Sequence, residues 1–182
     1  MKVVAIIGST KKNSTTRKAV ENMTKIIEDE GIETEMIHFA EVSLPLFDAN
    51  LTKEEHPPIV HSFTKKIAEA DGVILASPEY HGSVSGVLKN ALDYLGAREM
   101  KGKLVTILTT AGSELGATNT INTLHQICRN LHAWALPQSP TIPAAYDAFA
   151  PDGTLQDKKL EERLKTVAST FITELKNKSK HH

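Results

Sequence analysis

One cysteine, Cys128, stands in 182 residues. It cannot close an intramolecular disulfide, which points to a reducing compartment such as the cytoplasm. No apolar run approaches the ~20 residues that a membrane-spanning helix needs. Charged n-region, apolar h-region and cleavage site are all missing at the start, so no signal peptide is expected. Neither sign of charge dominates: the net charge is −1, which gives no drive toward nucleic acid or anionic membranes. Signature motifs are missing too. There is no G-x-x-x-x-G-K-[ST] for a Walker-type site, no G-x-G-x-x-G after the first strand, and no G-x-S-x-G to supply a hydrolase nucleophile. His125 and His132 have neither zinc-like spacing nor companion thiols, so no metal site is expected. What is left is an ordinary soluble composition, 40% hydrophobic and 24% charged, of a length that suits one domain over residues 1–180. His181 and His182 read as the remnant of a purification tag and are set aside.

Apolar strand-like runs alternate with helical patterns from end to end. Residues 3–7, 33–39, 72–76 and 104–109 read as strands, with a short fifth within 134–142. Residues 14–30 carry Val20, Met23 and Ile27 at helical spacing, and Gly31 ends that helix. Further helices are expected over 59–70, 84–95, about 121–131 and 160–175, with Lys176 to Lys180 as a solvated tail. Residues 40–58 read as a long connection. Strands alternating with helices imply a parallel α/β sheet. Five strands suit the flavodoxin-like order 2-1-3-4-5 with helices on both faces, which binds its ligand between strands 1 and 3.

The loops after those two strands carry the chemistry. Gly8 allows a tight turn out of the first strand. Ser14 is a candidate N-cap that leaves the amides of Thr15, Thr16 and Arg17 pointing out of the helix end. Ser9, Thr10, Ser14, Thr15 and Thr16 add hydroxyls. Helix starts favour acids, yet this one carries Lys11, Lys12, Arg17 and Lys18, with no acid from Ser9 to Val20. That pattern opposes the helix dipole unless an anion sits there. The plainer alternative is a Ser-capped helix with its basic residues solvated.

After the third strand, Pro78, Glu79, Tyr80, His81, Gly82 and Ser83 offer a fixed turn, an aromatic surface and a close backbone approach. A planar ring could lie there, with Gly112 in the segment 110–116 closing the other rim. A turn with no ligand is the alternative. Cys128 lies on an apolar helical stripe and reads as core.

The run Gly8-Ser9-x-Lys11-x-x-Ser14-x-Thr16 resembles the G-S-x-R-x-x-S-x-N/T loop of the NADPH-dependent FMN reductase family, which includes quinone, azo-dye and chromate reductases. Residues 78–94 resemble its P-E-Y-N-x-S-x-P-G-x-L-K-N-A-I-D-W block. Lys11 stands where the family often has arginine, keeping the charge but losing the bidentate fork. His81 replaces asparagine and Ser85 replaces proline. By matching position the resemblance places FMN phosphate at Ser9, Lys11, Ser14, Thr15 and Thr16. It places the flavin ring at Pro78, Glu79, Tyr80, His81, Gly82, Ser83 and Gly112.

The resemblance implies a flavin enzyme that passes hydride from NADPH or NADH through FMN to a quinone, azo compound, metal oxyanion or free flavin. The chemistry would be centred on the flavin, with no catalytic side chain and His81 as a tuning group. It also implies a homodimer or homotetramer. Two other classes stay open on the residues alone: an electron-carrier flavodoxin without intrinsic NAD(P)H activity, and a phosphate-binding regulatory protein without flavin.

Overall fold

The computed structural model describes residues 1–180; residues 181 and 182, the expected tag remnant, lie outside them. The backbone of the sheet is β1 (Lys2–Ile7), β2 (Glu33–His38), β3 (Gly72–Tyr80) and β5 (Leu104–Thr110), all paired in parallel. The spatial order is β2-β1-β3-β5-β6, with β6 (Trp134–Ala135) at the edge. This is the expected flavodoxin-like order, carried by the first strand of each βα unit.

Two short strands depart from the expected five. The segment 134–142 is not one strand. It splits into β6 and β7 (Thr141–Ile142), which pair with opposite ends of β5. Pro137 and Pro140 lie between them, and each removes a ladder donor. The other addition, β4 (Ser83–Val84), folds back antiparallel on the end of β3.

Helices cover both faces, as predicted. On one side α1 (Thr15–Asp29) and α6 (Lys158–Ser179) bury Val20, Met23, Ile27, Val167, Phe171 and Leu175 against Val3, Ala5 and Ile74. On the other side α2 (Pro58–Glu69), α3 (Gly86–Asp93), the single turn α4 (Ala97–Met100) and α5 (Thr118–Asn130) cover Val4, Ile6, Val73 and Ile107. Successive strand residues thus serve opposite cores, which is why these strands are apolar throughout rather than alternating.

Three boundaries differ from expectation. The helix read over 84–95 begins at Gly86, because the Ser85 side chain accepts the Leu88 amide hydrogen and caps it. The lysine-rich tail is helical to Ser179. There Lys176 pairs with Glu30 at 2.7 Å and Lys178 donates to the Gly102 carbonyl. Pro78 does not open a turn; it lies within β3. The β1 ladder stops at Ile7 opposite Ala76, and β4 pairs only with Glu79 and Tyr80, so Pro78 lies between the two ladders. Proline is tolerated in such a strand because no ladder partner there needs its missing N–H.

Candidate active site

Where β3 outruns β1, the sheet opens a crevice beyond the carboxyl ends of its strands. Both informative loops border it. Chain direction explains how. The Gly8 amide still donates to the Ala76 carbonyl at 2.8 Å, after which the first loop turns away toward α1. A Cβ at Gly8 would stand 2.7 Å from Leu88 Cβ and 3.0 Å from the Ala76 carbonyl oxygen. Only glycine lets α3 approach this closely, and Ser85 Oγ seals the contact by donating to the Gly8 carbonyl at 2.6 Å.

The α1 mouth has the predicted chemistry. Ser14 is extended at the N-cap, and its Oγ accepts the Arg17 amide hydrogen at 3.0 Å. The first turn holds no acidic residue, and its leading amides have no intrahelical acceptor. Ser9 Oγ accepts the Lys11 amide hydrogen at 3.2 Å. Arg17 faces the other way, bound to Glu21 at 2.8 Å and Glu41 at 2.7 Å. The two carboxylates hold its charge and push its pKa up further. Of the basic residues around the mouth, Lys11 is the one that lines the cavity.

A cavity of about 250 Å³ lies between these parts. The residues predicted for phosphate all line it: Ser9, Lys11, Ser14, Thr15 and Thr16. Of the predicted ring residues, Pro78, Glu79, Tyr80 and Gly112 line it as well. His81, Gly82 and Ser83 do not; they form the hairpin tip beyond it. His81 (φ 51°) and Gly82 (φ 72°) both adopt the left-handed conformation, as a two-residue type I′ turn between β3 and β4 requires. Glycine, asparagine and aspartate suit such a turn better than histidine, so the departure at His81 carries backbone strain.

Glu79 lines the wall, and its carboxylate is engaged by α5. Oε2 accepts from both the amide and the hydroxyl of Thr120 at 3.0 Å. It thereby caps α5, whose N-cap residue Ala117 offers no side-chain oxygen. The third wall comes from the end of β5. Thr16 Oγ1 and Thr110 Oγ1 share a buried hydrogen bond at 2.8 Å, which ties the first helix to the third loop.

Thr110 and Ala111, within the segment 110–116 expected at the rim, line the cavity beside Gly112, whereas sequence reasoning missed Ala145 and Tyr146. Nothing in the sequence marked Tyr146, which arrives from the segment after β7. Behind the first loop lies His38, 2% exposed at the end of β2. Neither ring nitrogen has a hydrogen-bond partner. Burial lowers its pKa, and the Arg17 charge lowers it further.

The donor set fits FMN. An acid-free helix mouth with free amides, hydroxyls and Lys11 in its lining suits a phosphate dianion. The extended wall at 78–80 suits a flat ring, and at the rim the missing Cβ of Gly112 makes room for the ring of Tyr146. Four other clefts are larger, at about 320 to 650 Å³. None is lined by the start of α1, so chemistry rather than size selects the site. Among the described residues no cluster of His, Cys, Asp and Glu could hold a metal, and no helix is long and apolar enough to cross a membrane.

Comparison with known proteins bears on the same crevice. Residues 1–147 match the family described as NADPH-dependent FMN reductase. The chain is 32% identical over 176 residues to the NADPH azoreductase of Bacillus sp. (strain OY1-2), covering 97% of this chain and 91% of that protein. It is 30% identical over 187 residues to the FMN-dependent NADPH-azoreductase of Staphylococcus aureus (strain USA300), covering 100% and 99%. Among solved structures, the flavoenzyme FerB, an NAD(P)H:(acceptor) oxidoreductase from Paracoccus denitrificans, superposes with a TM-score of 0.82 over 97% of both chains. At 23% identity that likeness is one of fold.

Proposed function

The chain belongs to the NADPH-dependent FMN reductase family and is an FMN-dependent NAD(P)H oxidoreductase, and from that premise we propose how its residues hold the cofactor and what it reduces. The phosphate goes to the α1 mouth, against Ser9, Lys11, Ser14, Thr15 and Thr16. The ring goes to the wall of Pro78, Glu79 and Tyr80 and the rim at Gly112, with His81, Gly82 and Ser83 at its open end. The observation that carries this reading is the convergence of both predicted loops on one cavity.

Bound FMN supplies a ring that takes up hydride from NAD(P)H and returns two electrons to an acceptor. The protein's part is binding, orientation and electrostatics. The helix mouth neutralises the phosphate. Backbone amides of the wall and rim would donate hydrogen bonds to the bound ring, an oxyanion-hole type of stabilisation. Tyr80, 52% exposed, stands where an entering nicotinamide or acceptor would stack. His81, exposed at the hairpin tip, tunes the ring's surroundings. An azo compound is the favoured acceptor, since two relatives spanning almost the whole chain are named azoreductases.

The protein acts as one domain over residues 1–180, in the cytoplasm, as a homodimer or homotetramer. A buried, unpaired Cys128 supports the compartment. Exposed apolar residues Leu46, Phe47, Leu51 and Ile59 support association. They sit beside α3, whose Asn90 donates to the Pro45 carbonyl and accepts the Phe47 amide hydrogen, both at 2.8 Å.

The test strips the chain of flavin and titrates FMN back. Wild type should turn yellow, and anaerobic NADPH should bleach it within seconds. The double variant Ser14→Ala, Lys11→Ala should weaken FMN by about tenfold or more, since each charged hydrogen bond is worth roughly 1.5–3 kcal/mol. Unchanged affinity in that variant would remove the phosphate from the α1 mouth.

A further inference from the structure

Lys11 is the one basic residue that lines the cavity. Among the described residues no carboxylate lies within ion-pair distance of it, whereas Arg17 is bound by two. Its ammonium stands instead over the ring of Tyr146, 6.0 Å from the centroid. The arrangement repeats at the start of α1, where Lys18 Nζ stands 5.9 Å from the centroid of Phe149. The segment after β7 therefore presents aromatic faces to the lysines of the α1 mouth.

That segment is built to hold Tyr146 there. The Ala144 amide donates to the Ser113 carbonyl at 3.0 Å and the Ala145 amide to the Ala111 carbonyl at 2.9 Å. Ala144 takes a left-handed φ of 42°, a conformation costly for a residue with a Cβ. Ala145 is 2% exposed and anchors the turn in the core. The Tyr146 ring then lies over Gly112, where a Cβ would come within 2.9 Å of its Cε2.

A carboxylate partner would orient Lys11 and also cancel its charge. An aromatic face orients the ammonium through the ring quadrupole and leaves the full charge for an incoming anion. Tyr146 itself is 74% exposed, so burial of its own ring does not account for the strained turn beneath it. We infer that Tyr146 is a positioning residue that holds Lys11 over the α1 mouth, and that the pair selects a phosphorylated flavin over its dephosphorylated form. This inference rests on the assignment of the phosphate to that mouth.

The experiment measures dissociation constants of FMN and of riboflavin for the flavin-free full chain, by quenching of flavin fluorescence. Wild type is compared with Tyr146→Phe, Tyr146→Leu, Lys11→Ala and the double variant Lys11→Ala, Tyr146→Leu. Tyr146→Leu should weaken FMN by about two- to fivefold, the range of an exposed cation–π contact, and leave riboflavin unchanged. Tyr146→Phe keeps the ring and should match wild type. In the Lys11→Ala background the loss of Tyr146 should add nothing. Equal weakening of FMN and riboflavin in Tyr146→Leu, no weakening of either, or the same FMN loss in Tyr146→Phe would overturn the role of Tyr146. A Lys11→Ala variant with the wild-type preference for FMN would instead overturn the phosphate assignment beneath it.

Discussion

His38 shows how one side chain can tie the site to acidity. Its ring is buried behind the first loop with both nitrogens unpartnered. Desolvation, with Arg17 adding to it, favours the neutral form in the folded chain. The unfolded chain returns the ring to the ordinary value near 6.5. Below that pH the unfolded state binds a proton that the folded state resists, so acid shifts the balance toward unfolding. Stability from His38 is present above its ordinary pKa and lost as pH falls through it. His125, also lowered by burial, acts in the same direction. Urea midpoints measured from pH 8 to pH 5.5 should therefore fall, and His38→Leu should flatten part of that slope. A parallel pH profile in the variant would mean that His38 finds a partner on folding. The same residue was invisible from sequence, because a histidine ending a strand carries no mark of whether its ring turns inward. Tyr146 and Glu79 were obscure for related reasons. One reaches the crevice from a segment without periodicity, and the other turns its carboxylate to a helix distant in sequence.

Elements were far more legible than side chains. Apolar runs flanked by glycine located β1, β3 and β5, and the spacing of Val20, Met23 and Ile27 located α1. The α1 cap was legible down to its atom, since Ser14 accepts from Arg17 as the local pattern demands. Reading failed where pairing decides. Whether 134–142 forms one strand depends on which rungs of β5 accept it, and Pro137 and Pro140 leave only its two ends competent. The first turn of α1 also makes a prediction that separates stability from function. It lacks the acid that a helix start prefers. Thr15→Glu should stabilise the flavin-free chain by about 0.3–1 kcal/mol through the dipole. The same carboxylate would occupy the mouth and repel phosphate, so FMN affinity should drop. The two effects have opposite signs, and a melting curve with and without FMN reads both. A variant that is more stable and binds FMN as well as wild type would show that the anion sits elsewhere.

At the scale of the whole molecule, the site joins parts that unfold together or separately, and Cys128 can report which. Its thiol is buried in α5 at 1% exposure, and burial pushes its pKa up to about 12. At pH 8 the native thiol is ionised to only ~10⁻⁴, so a disulfide reagent must wait for an opening of the chain. The crevice proposed for FMN is lined by the first loop, the start of α1, the ends of β3 and β5 and the segment after β7, none of which includes α5. Yet α5 is fastened to the wall strand through Glu79 and Thr120, and its Leu124 and Cys128 share a core with α3. That coupling predicts that α5 opens only with the rest. A ligand that binds only the folded chain lowers the open population by 1 + [L]/Kd, about a hundredfold at a hundred times Kd. Labelling of Cys128 should therefore slow in proportion to FMN, and Glu79→Ala should weaken that proportionality by freeing the helix start. A labelling rate indifferent to FMN in the wild-type chain would show that α5 detaches alone, leaving the crevice standing on the central strands.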